Sequence, residues 1–329
     1  MNNIKKILIV RLNAIGDVVH TSNTYRAIKD KYPNIEIHYL TYVDKSFLQG
    51  ESLIDKVHNI EAEKFNVFNP YMYVFAKNIL QPEKYDLVIN LQSSFKSRLL
   101  CFLAKIPKRI NYHKNNKIHA VKNYWLMAKK IFPDIREFDN LKLELDKNVC
   151  QRIENSVISY SRPHIIINAG HVFAVRQGRT YPIDKWIELG NKLQEKYNGT
   201  VFITGIDEDK EILKPLEKIK NSVSFVGKLS LLENSALIKS SDLLISGDSG
   251  PLHIASAVGT KCVGLFGSMP ITRTGPYGKN CLTVVSQYKC VPCNNRKCKI
   301  KQKNNLYTPC MEAIEVDVII KKVLDGVKF

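Results

Sequence analysis

The sequence predicts an α/β protein of two doubly wound, Rossmann-like domains, and three observations support this. Short apolar runs alternate with helix-compatible stretches, as in parallel sheets. The alternation breaks across residues 133–146 and restarts near residue 163. The 329 residues also exceed the length at which one core usually stops growing, about 250 to 300 residues. We expect an N-terminal domain over residues 1–155 and a C-terminal domain over residues 156–329.

In the N-terminal half, an apolar strand at 7–12 leads through a glycine-containing turn into a helix at 18–31, and a strand follows at 36–42. This order predicts a βαβ unit. Further strands are predicted at 86–91 and 109–112, with helices at 95–104 and 120–132.

The C-terminal half repeats this layout. Strands are predicted at 163–168, 200–204, 223–226, 243–246 and 262–266, and helices at 184–197, 209–219, 231–240 and 251–258. Apolar residues at helical spacing across 315–327 predict a final helix that packs back on a domain, with the N-terminal domain as a candidate. Two such domains facing each other would bind ligands in a cleft at the carboxyl ends of their strands.

A strand-to-helix junction near Asp248 has the features of an anion site. Ser249 and Gly250 follow a buried strand, and Pro251 suits the first helical turn, where its missing N–H costs nothing. Free backbone N–H groups and the positive dipole end of such a helix attract phosphate. His253, one turn in, would point toward the same ligand. A capped structural helix with a half-buried histidine fits this segment about equally well.

A second junction carries a carboxylate. Arg11 follows the apolar run of the first strand, and Gly16 and Asp17 precede the first helix. The dinucleotide-binding fingerprint needs three glycines in such a turn, so the single Gly16 counts against an NAD-binding domain. Asp17 would either cap the helix, the commoner case for an isolated Gly-Asp pair, or act as general base toward a bound hydroxyl.

Together these segments resemble the lipopolysaccharide heptosyltransferases and their relatives, bacterial glycosyltransferases of family 9 with the GT-B fold. The resemblance covers nearly the whole chain. It runs through residues 11–17, residues 86–92 with Arg98, and residues 226–231, 248–255 and 265–267. Each motif is weak alone, and their common order and spacing are specific.

The resemblance implies inverting, metal-independent transfer of a sugar, typically heptose from ADP-heptose, to a lipopolysaccharide inner-core or related glycan acceptor. The aspartate matching Asp17 is the family's proposed base, the N-terminal domain binds the acceptor, and the C-terminal domain binds the donor. The implied acceptor residues are Arg11, Asn13, Gln92 and Arg98. The implied donor residues are Asp248, Ser249, Gly250, Leu252, His253 and Lys228.

Without a metal, a helix end and a cation must stabilise the negative charge that grows on the leaving diphosphate. The loop after the strand at 163–168 carries Arg176, Arg179 and Lys185. Arg179 stands before an aromatic-Pro pair, where family members usually carry lysine, and arginine can grip two phosphate oxygens as a fork. We predict Arg179 as the catalytic cation, with a solvated surface charge as the alternative.

The net charge of +18, from 49 Lys and Arg against 31 Asp and Glu, implies an anionic partner. Between Lys96 and Lys130 there are ten basic residues and no acidic one, a basic face that would attract acidic sugars and lipid phosphates. The segment with Tyr124 and Trp125 would either lie on the membrane or pack in the core. No apolar run reaches the roughly 20 residues that span a bilayer. We expect a cytoplasmic enzyme, in peripheral contact with the inner membrane.

Four cysteines cluster near the C-terminus: Cys290, Cys293, Cys298 and Cys310. Such compact spacing suits a structural zinc site, or free or paired thiols, and only one pair has Cys-x-x-Cys spacing. No cofactor is expected for catalysis. The Asp-Glu-Asp run at 207–209 matches a metal-binding pattern of other glycosyltransferases, but it opens a helix and is predicted to act as a cap.

Other functions remain open at this stage. A nucleotide-sugar epimerase of the same fold would need no acceptor, and a related glycosyltransferase could use another nucleotide sugar. A nucleic-acid-binding protein would use the positive charge, yet no recognised basic or aromatic reading motif is present, so we expect no nucleic-acid partner. A dehydrogenase is least favoured, because the glycine fingerprint is absent.

Overall fold

The chain divides into two units, Met1–Asp146 and Lys147–Phe329. The computed structural model describes residues 4–170, 180–295, 298–300 and 307–329. The division precedes residue 155, because the helix at Lys147–Val157 packs on the helix at Leu231–Ser240, where Arg152 and Glu233 form an ion pair of 2.7 Å. That helix therefore belongs to the second unit.

The first unit contains a parallel sheet. Its strands are β1 (Lys6–Val10), β2 (Glu36–Thr41), β3 (Lys56–Asn59), β4 (Leu87–Asn90) and β5 (Lys108–Asn111). They lie in the order β3-β2-β1-β4-β5, and every pairing is parallel. The apolar runs of β1 and β4 are buried, as expected for central strands covered on both faces. Edge strand β3 escapes prediction, because its four residues are largely polar and its first and last residues are exposed.

Helices cover both faces of this sheet. They are α1 (Ile15–His20), α2 (Ser22–Lys31), α3 (Ser46–Gln49), α4 (Pro70–Phe75), α5 (Phe95–Leu103) and α6 (Ala120–Lys129). A π-helical turn at Ala76–Leu80 continues α4, and a 3-10 turn at Gln81–Glu83 follows it. Helix α6 buries Tyr124 and Trp125. Packing in the core is therefore the correct interpretation of this segment, and placing its aromatic residues on a membrane is wrong.

The second unit contains a larger parallel sheet. Its strands are β6 (His164–Asn168), β7 (Thr200–Ile203), β8 (Ser222–Ser224), β9 (Leu243–Gly247), β10 (Lys261–Phe266) and β11 (Cys281–Val285). Their order is β11-β10-β9-β6-β7-β8. All of the pairings are parallel. The sequence interpretation missed β11, although its apolar run was a usable signal.

The helices of the second unit are α7 (Lys147–Val157), α8 (Ile183–Tyr197), α9 (Lys210–Leu213), α10 (Leu231–Ser240), α11 (Gly250–Val258), α12 (Ile271–Thr274), α13 (Pro309–Glu312) and α14 (Val316–Gly326). Turns of 3-10 helix flank α9, where Pro215 interrupts the predicted longer helix. Helix α14 packs on α8 and β11 and buries Ile319 and Val323 in this unit's core. The apolar face considered for the N-terminal domain is thus used within the second unit.

Each sheet has a topological switch point, where successive crossovers leave in opposite directions. In the first unit it lies between β1 and β4, and in the second between β6 and β9. Ligands of doubly wound sheets bind outside the carboxyl ends of the strands at such points. Within the described part of the chain, no helix is long and apolar enough to cross a bilayer.

Candidate active site

Asp17 lies at the switch point of the first unit, just beyond the carboxyl end of β1. Ala14 turns the chain there with φ 61° and ψ 108°, and α1 begins at Ile15. Asp17 therefore sits inside the first helical turn, not at the capping position, so the proposed cap is wrong. Its side chain remains 28% exposed and can be reached from solvent.

Two donors orient the carboxylate of Asp17. The guanidinium of Arg11 contacts Oδ2, and the hydroxyl of Tyr124 donates to Oδ1 at 2.8 Å. Arg11 also donates to the carbonyl of Leu91 at 2.8 Å, which ties the pair to the end of β4. Its guanidinium carbon lies 5.4 Å from the centroid of the Tyr124 ring. The carboxylate is thus held in one orientation between the two central strands.

The protonation states of both donors suit this arrangement. Burial lowers the pKa of Arg11, but the nearby Tyr124 and Asp17 outweigh burial, so the net pKa is raised. Burial raises the pKa of Tyr124 well above its ordinary value, and the charge of Asp17 adds to this. At neutral pH Arg11 therefore carries its charge and Tyr124 keeps its proton.

Two amides lie beside the same switch point. Gln92 Nε2 donates to Asn13 Oδ1 at 3.1 Å, and the backbone N–H of Leu12 donates to Gln92 Oε1 at 3.4 Å. Gln92 follows β4 and Asn13 follows β1, so the structure brings these two predicted acceptor residues together with Arg11 and Asp17. Arg98 is exposed on α5, and its assignment stays a prediction.

The second unit presents a hydroxyl cluster at its own switch point. Ser246 Oγ, on β9, donates to Asn168 Oδ1 at the end of β6, at 3.3 Å. The proton of Ser246 is then used, so the contact of 2.7 Å between Ser246 and Ser249 is donated by Ser249. Asn168 Nδ2 in turn donates to Thr204 Oγ1 at 3.2 Å. These bonds join the carboxyl ends of β6, β7 and β9.

Helix α11 begins directly above this cluster. Ser249 occupies the N-cap position, but its side chain makes no capping hydrogen bond, because it is turned toward Ser246. Pro251 lies in the first turn. The backbone N–H groups of the first turn are therefore not capped by Ser249, which leaves the positive end of the helix suited to an anion.

The structure places several of the predicted donor residues at the start of α11. Leu252 is fully buried, and Gly264 makes room for it, since a Cβ on Gly264 would lie 2.7 Å from Leu252 Cδ2. The side chain of Leu252 is therefore not available to a ligand. His253 Nε2 lies 3.7 Å from Asp248 Oδ1, and Thr274 Oγ1 donates to Asp248 Oδ2 at 3.5 Å. Asp248 is thus held at the mouth of the helix.

Comparison with known proteins decides the family. A family model described as "Glycosyltransferase family 9 (heptosyltransferase)" matches residues 74–304. The chain belongs to glycosyltransferase family 9. It is similar to the lipopolysaccharide core heptosyltransferase OpsX of Haemophilus influenzae, with 26% identity over 87% of this chain and 85% of the relative. It is also similar to lipooligosaccharide heptosyltransferase 2 of Campylobacter jejuni, with 24% identity over 97% of this chain and 98% of the relative.

Solved structures agree on the fold. A family 9 glycosyltransferase from Veillonella parvula matches with a TM-score of 0.81 at 19% identity, covering 98% of this chain and 96% of that one. The ADP-heptose lipopolysaccharide heptosyltransferase II of Escherichia coli matches with a TM-score of 0.77 at 18% identity, covering 97% and 98%. The predicted GT-B fold class is confirmed, and the protein is a glycosyltransferase.

The predicted cations Lys228 and Lys185 of this family 9 glycosyltransferase are bonded away from the switch point between β6 and β9. Lys228 follows β8, at the sheet edge far from β9, and its ammonium group donates to the carbonyl of Ser224 at 2.7 Å. Lys185 donates to the carbonyls of Glu312 and Ile314 at 2.7 and 3.0 Å, so its ammonium group is hydrogen-bonded within the second unit. Arg179 lies outside the described residues, and its role stays a prediction.

The C-terminal cysteines share one neighbourhood. Burial raises the pKa of Cys310, and the charges of Cys290, Cys298 and Cys293 raise it further. Within the described residues, however, no three of these sulfur atoms converge closely enough to be recognised as a metal set. Cys310 packs at the end of β10, where a Cβ on Gly267 would lie 2.9 Å from its sulfur. Cys310 therefore lies near the carboxyl end of β10.

The structure also brings to these junctions side chains that the sequence analysis did not propose as site residues. Tyr124 had no local signal, because its contact to Asp17 arises from tertiary packing. Asn168 and Ser246 did have one, since each is a polar residue at the end of a buried strand. The Asp-Glu-Asp run was interpreted correctly, because Asp209 Oδ2 accepts from the N–H of Ile206 at 3.0 Å as a cap.

Proposed function

We propose that this protein transfers heptose from ADP-heptose to the inner core of lipopolysaccharide or to a related glycan. The observation that carries the proposal is the carboxylate of Asp17, fixed by Arg11 and Tyr124 at a switch point, in a chain of the heptosyltransferase family. The curated relatives named above are heptosyltransferases of lipopolysaccharide and lipooligosaccharide, which supports both the sugar and the acceptor class.

In the proposed reaction the configuration at the anomeric carbon is inverted. An acceptor hydroxyl, held near Gln92 and Asn13, attacks the anomeric carbon of the donor, and its proton passes to Asp17. The bond between that carbon and the diphosphate oxygen breaks, and ADP leaves with the electron pair. A positioned carboxylate base contributes typically about 10²- to 10⁴-fold to such a rate.

The second unit supplies the leaving-group side. The N-terminus of α11 offers backbone N–H groups and a positive dipole to the diphosphate, and the hydrogen bond of Ser249 to Ser246 keeps the Ser249 side chain from capping that helix end. Arg179 adds a full positive charge. In this proposal these groups stabilise the departing diphosphate, and the reaction needs no metal ion.

We further propose a structural metal at the cysteine cluster. The compact spacing of Cys290, Cys293, Cys298 and Cys310 in the sequence supports this proposal. Four thiolates would hold zinc, which in such sites stabilises the local fold. Metal analysis of the purified protein for zinc and iron tests this, and about one equivalent that is lost in Cys290→Ser is expected. Protein free of both metals would contradict it.

The partners follow from the same proposal. The donor is a nucleotide diphosphate sugar, and the acceptor is an anionic, lipid-borne glycan. An enzyme that acts on such an acceptor works on the cytoplasmic side, in peripheral contact with the inner membrane.

The deciding experiment has two arms. First, thermal stabilisation is measured with a panel of nucleotide sugars, in which ADP-heptose is expected to raise the melting temperature most. Second, transfer to heptose-deficient lipopolysaccharide is followed by mass spectrometry. Stabilisation by another nucleotide sugar, with transfer of that sugar, would replace heptose while keeping the family.

An epimerase gives a different result in the same assay. It would convert the donor sugar into its epimer without any acceptor, whereas a transferase leaves the sugar configuration of unused donor unchanged. Donor turnover that does not depend on lipopolysaccharide would therefore overturn the proposed transfer.

A further inference from the structure

The outer side of the helical layer formed by α4, its π-helical continuation and α5 is rich in exposed aromatic and aliphatic side chains. Phe68 is 92% exposed, Phe95 73% and Phe102 63%. Tyr73, Val74 and Ile79 are also exposed there. We call these six residues the docking face. Large apolar side chains that gather on one exposed side usually mark an interaction surface.

The two helical segments that carry the docking face lie side by side. Near the start of α5, Lys96 Nζ donates to the carbonyl of Phe65 at 3.1 Å, and near its end Gln81 Nε2 donates to the carbonyl of Leu103 at 2.8 Å. The segments therefore run alongside each other in the same direction. Their exposed residues share one layer of the first unit, and Phe68 lies in the turn that leads into α4.

The opposite side of this layer is already occupied. Met72, Phe75, Leu100 and Cys101 are buried in the core against β1 and β4. Phe95 and Phe102 are separated by two helical turns, so they project from the same side of α5. The docking face is thus an additional apolar surface, which the fold of the described chain leaves exposed.

The two helical segments of the docking face carry charges of one sign, and the exposed Glu61 and Glu63 lie before them in the chain. Residues 70–81 and 95–111 contain no Asp or Glu. Their basic residues are Lys77, Lys96, Arg98, Lys105, Lys108 and Arg109. Arg109 lies with its guanidinium carbon 5.5 Å from the Phe102 ring centroid. Nearby Glu61 is paired with Lys64 at 2.7 Å. A cation therefore lies beside the Phe102 ring, and the other basic residues belong to the same two segments.

We propose that the docking face binds an anionic phospholipid bilayer, with its aromatic side chains at the level of the headgroups. Aromatic rings favour the membrane interface, and neighbouring Lys and Arg side chains are attracted to anionic lipids. The centre of an interface with a protein partner would carry fewer lysines than this surface does. The inference rests on the proposed function only for why this enzyme meets a bilayer, since neither Asp17 nor α11 takes part.

Vesicle co-sedimentation of the full chain tests this inference, without donor or acceptor sugar. One set of vesicles contains phosphatidylcholine alone, and the other an equal mixture of phosphatidylcholine and phosphatidylglycerol. We expect binding to the anionic vesicles only. A variant with Phe68→Ser, Phe95→Ser and Phe102→Ser should bind them at least about tenfold more weakly, because three apolar rings no longer insert. Ile158→Ser, at a residue 75% exposed in the second unit, is the matched control and should bind like wild type.

The charges are tested separately. Lys77→Gln with Lys105→Gln should weaken binding by about fivefold for each charge removed. Lys218→Gln with Lys321→Gln changes the net charge equally at exposed positions of the second unit and should have little effect. Circular dichroism and donor-induced thermal stabilisation report whether each variant is folded.

Three results would overturn the inference. The first is equal binding of wild type and the triple phenylalanine variant to anionic vesicles, and the second is equal binding of wild type to both vesicle types. The third is binding to heparin or RNA that the triple phenylalanine variant weakens as it weakens vesicle binding, while the lysine variant does not weaken it. Absence of vesicle binding with intact heptose transfer would reject the docking face and leave the proposed function standing. Vesicle binding without transfer would do the reverse.

Discussion

The hydroxyl of Tyr124 donates a hydrogen bond of 2.8 Å to Oδ1 of Asp17, across 107 positions of the sequence. Tyr124 belongs to α6, which packs against α1 and α2. The side chain of Tyr124 is buried, so core packing fixes the hydroxyl, and the hydroxyl fixes the carboxylate. The orientation of the proposed base therefore depends on a helix much later in the chain.

Replacement of the base itself is the first prediction. Asp17→Asn keeps the size of the side chain and can still accept from Tyr124, but it cannot take up a proton. We expect the transfer rate to fall by about 10²- to 10⁴-fold, while donor-induced thermal stabilisation is retained. Asp134→Asn, an exposed carboxylate of the same unit, is the control. Transfer by Asp17→Asn at the wild-type rate would exclude Asp17 as base.

Removal of the Tyr124 hydroxyl is the second prediction. Tyr124→Phe leaves the ring in the core and removes one of the two donors to Asp17. We expect kcat to fall by about tenfold with KM for the donor unchanged, and the free energy of unfolding to fall by about 1 kcal/mol. Steady-state kinetics and urea denaturation measure the two effects.

Tyr112 provides the matched control for that prediction. Its ring lies 5.0 Å from that of Tyr124, and its hydroxyl accepts from Asn123 Nδ2 at 3.0 Å. Tyr112→Phe should cost similar stability and leave kcat intact. Equal loss of kcat in both variants would mean that Tyr124 acts through general packing.

The sequence predicted most strands and both strand-to-helix junctions because these are local signals. Buried parallel strands appear as short apolar runs, and the turn residues at Gly16 and Pro251 mark where helices begin. The short polar strand β3 has no such pattern. Contacts such as those of Asp17 with Tyr124 depend on which helix covers which sheet face, and periodicity contains no information about that.

Individual side chains were harder to assign than the junctions that carry them. Leu252 belongs to the predicted donor segment, yet its side chain fills space above Gly264 in the core. Lys228 lies in a motif of the family, yet its ammonium group is bonded at the far sheet edge. A motif locates a segment, whereas the direction of each side chain depends on packing that distant residues decide.

A third prediction distinguishes Arg179 from Lys185, which the structure places in the first turn of α8. Arg179→Ala is expected to weaken donor binding about tenfold or more, because a charge-assisted contact to the diphosphate is lost, and Arg179→Lys should restore part of it. Lys185→Ala removes a cation that is bonded to the carbonyls of Glu312 and Ile314, so it should reduce stability and leave donor affinity unchanged. Isothermal titration with ADP-heptose measures the affinities. Weaker donor binding in Lys185→Ala, with unchanged donor binding in Arg179→Ala, would identify Lys185 as the cation that binds the donor.

Acid sensitivity of the first unit is the fourth prediction, and it rests on two histidines away from the active site. His38 Nδ1 and His58 Nε2 lie 3.2 Å apart, and each contacts the Tyr85 hydroxyl, at 2.8 and 2.9 Å. Burial, followed by the charges of His38 and Lys56, lowers the pKa of His58 from 6.5 to about 4. His58 is therefore neutral in the folded protein at pH values where the unfolded chain already binds a proton.

The sign of the effect follows from linkage. His58 contributes its full stability above about pH 6.5, and this contribution is lost as the pH falls toward about 4, because the unfolded state takes up the extra proton. We expect the free energy of unfolding to drop by about 2 kcal/mol across that interval from this residue. His58→Gln, which has no proton to gain, should be less stable than wild type at neutral pH. Its free energy of unfolding should change less than that of wild type between about pH 6.5 and about 4. His113→Gln, at an exposed position, should follow the wild-type curve. Urea denaturation at several pH values measures the slopes, and equal slopes in His58→Gln and wild type would show that the acid response originates elsewhere.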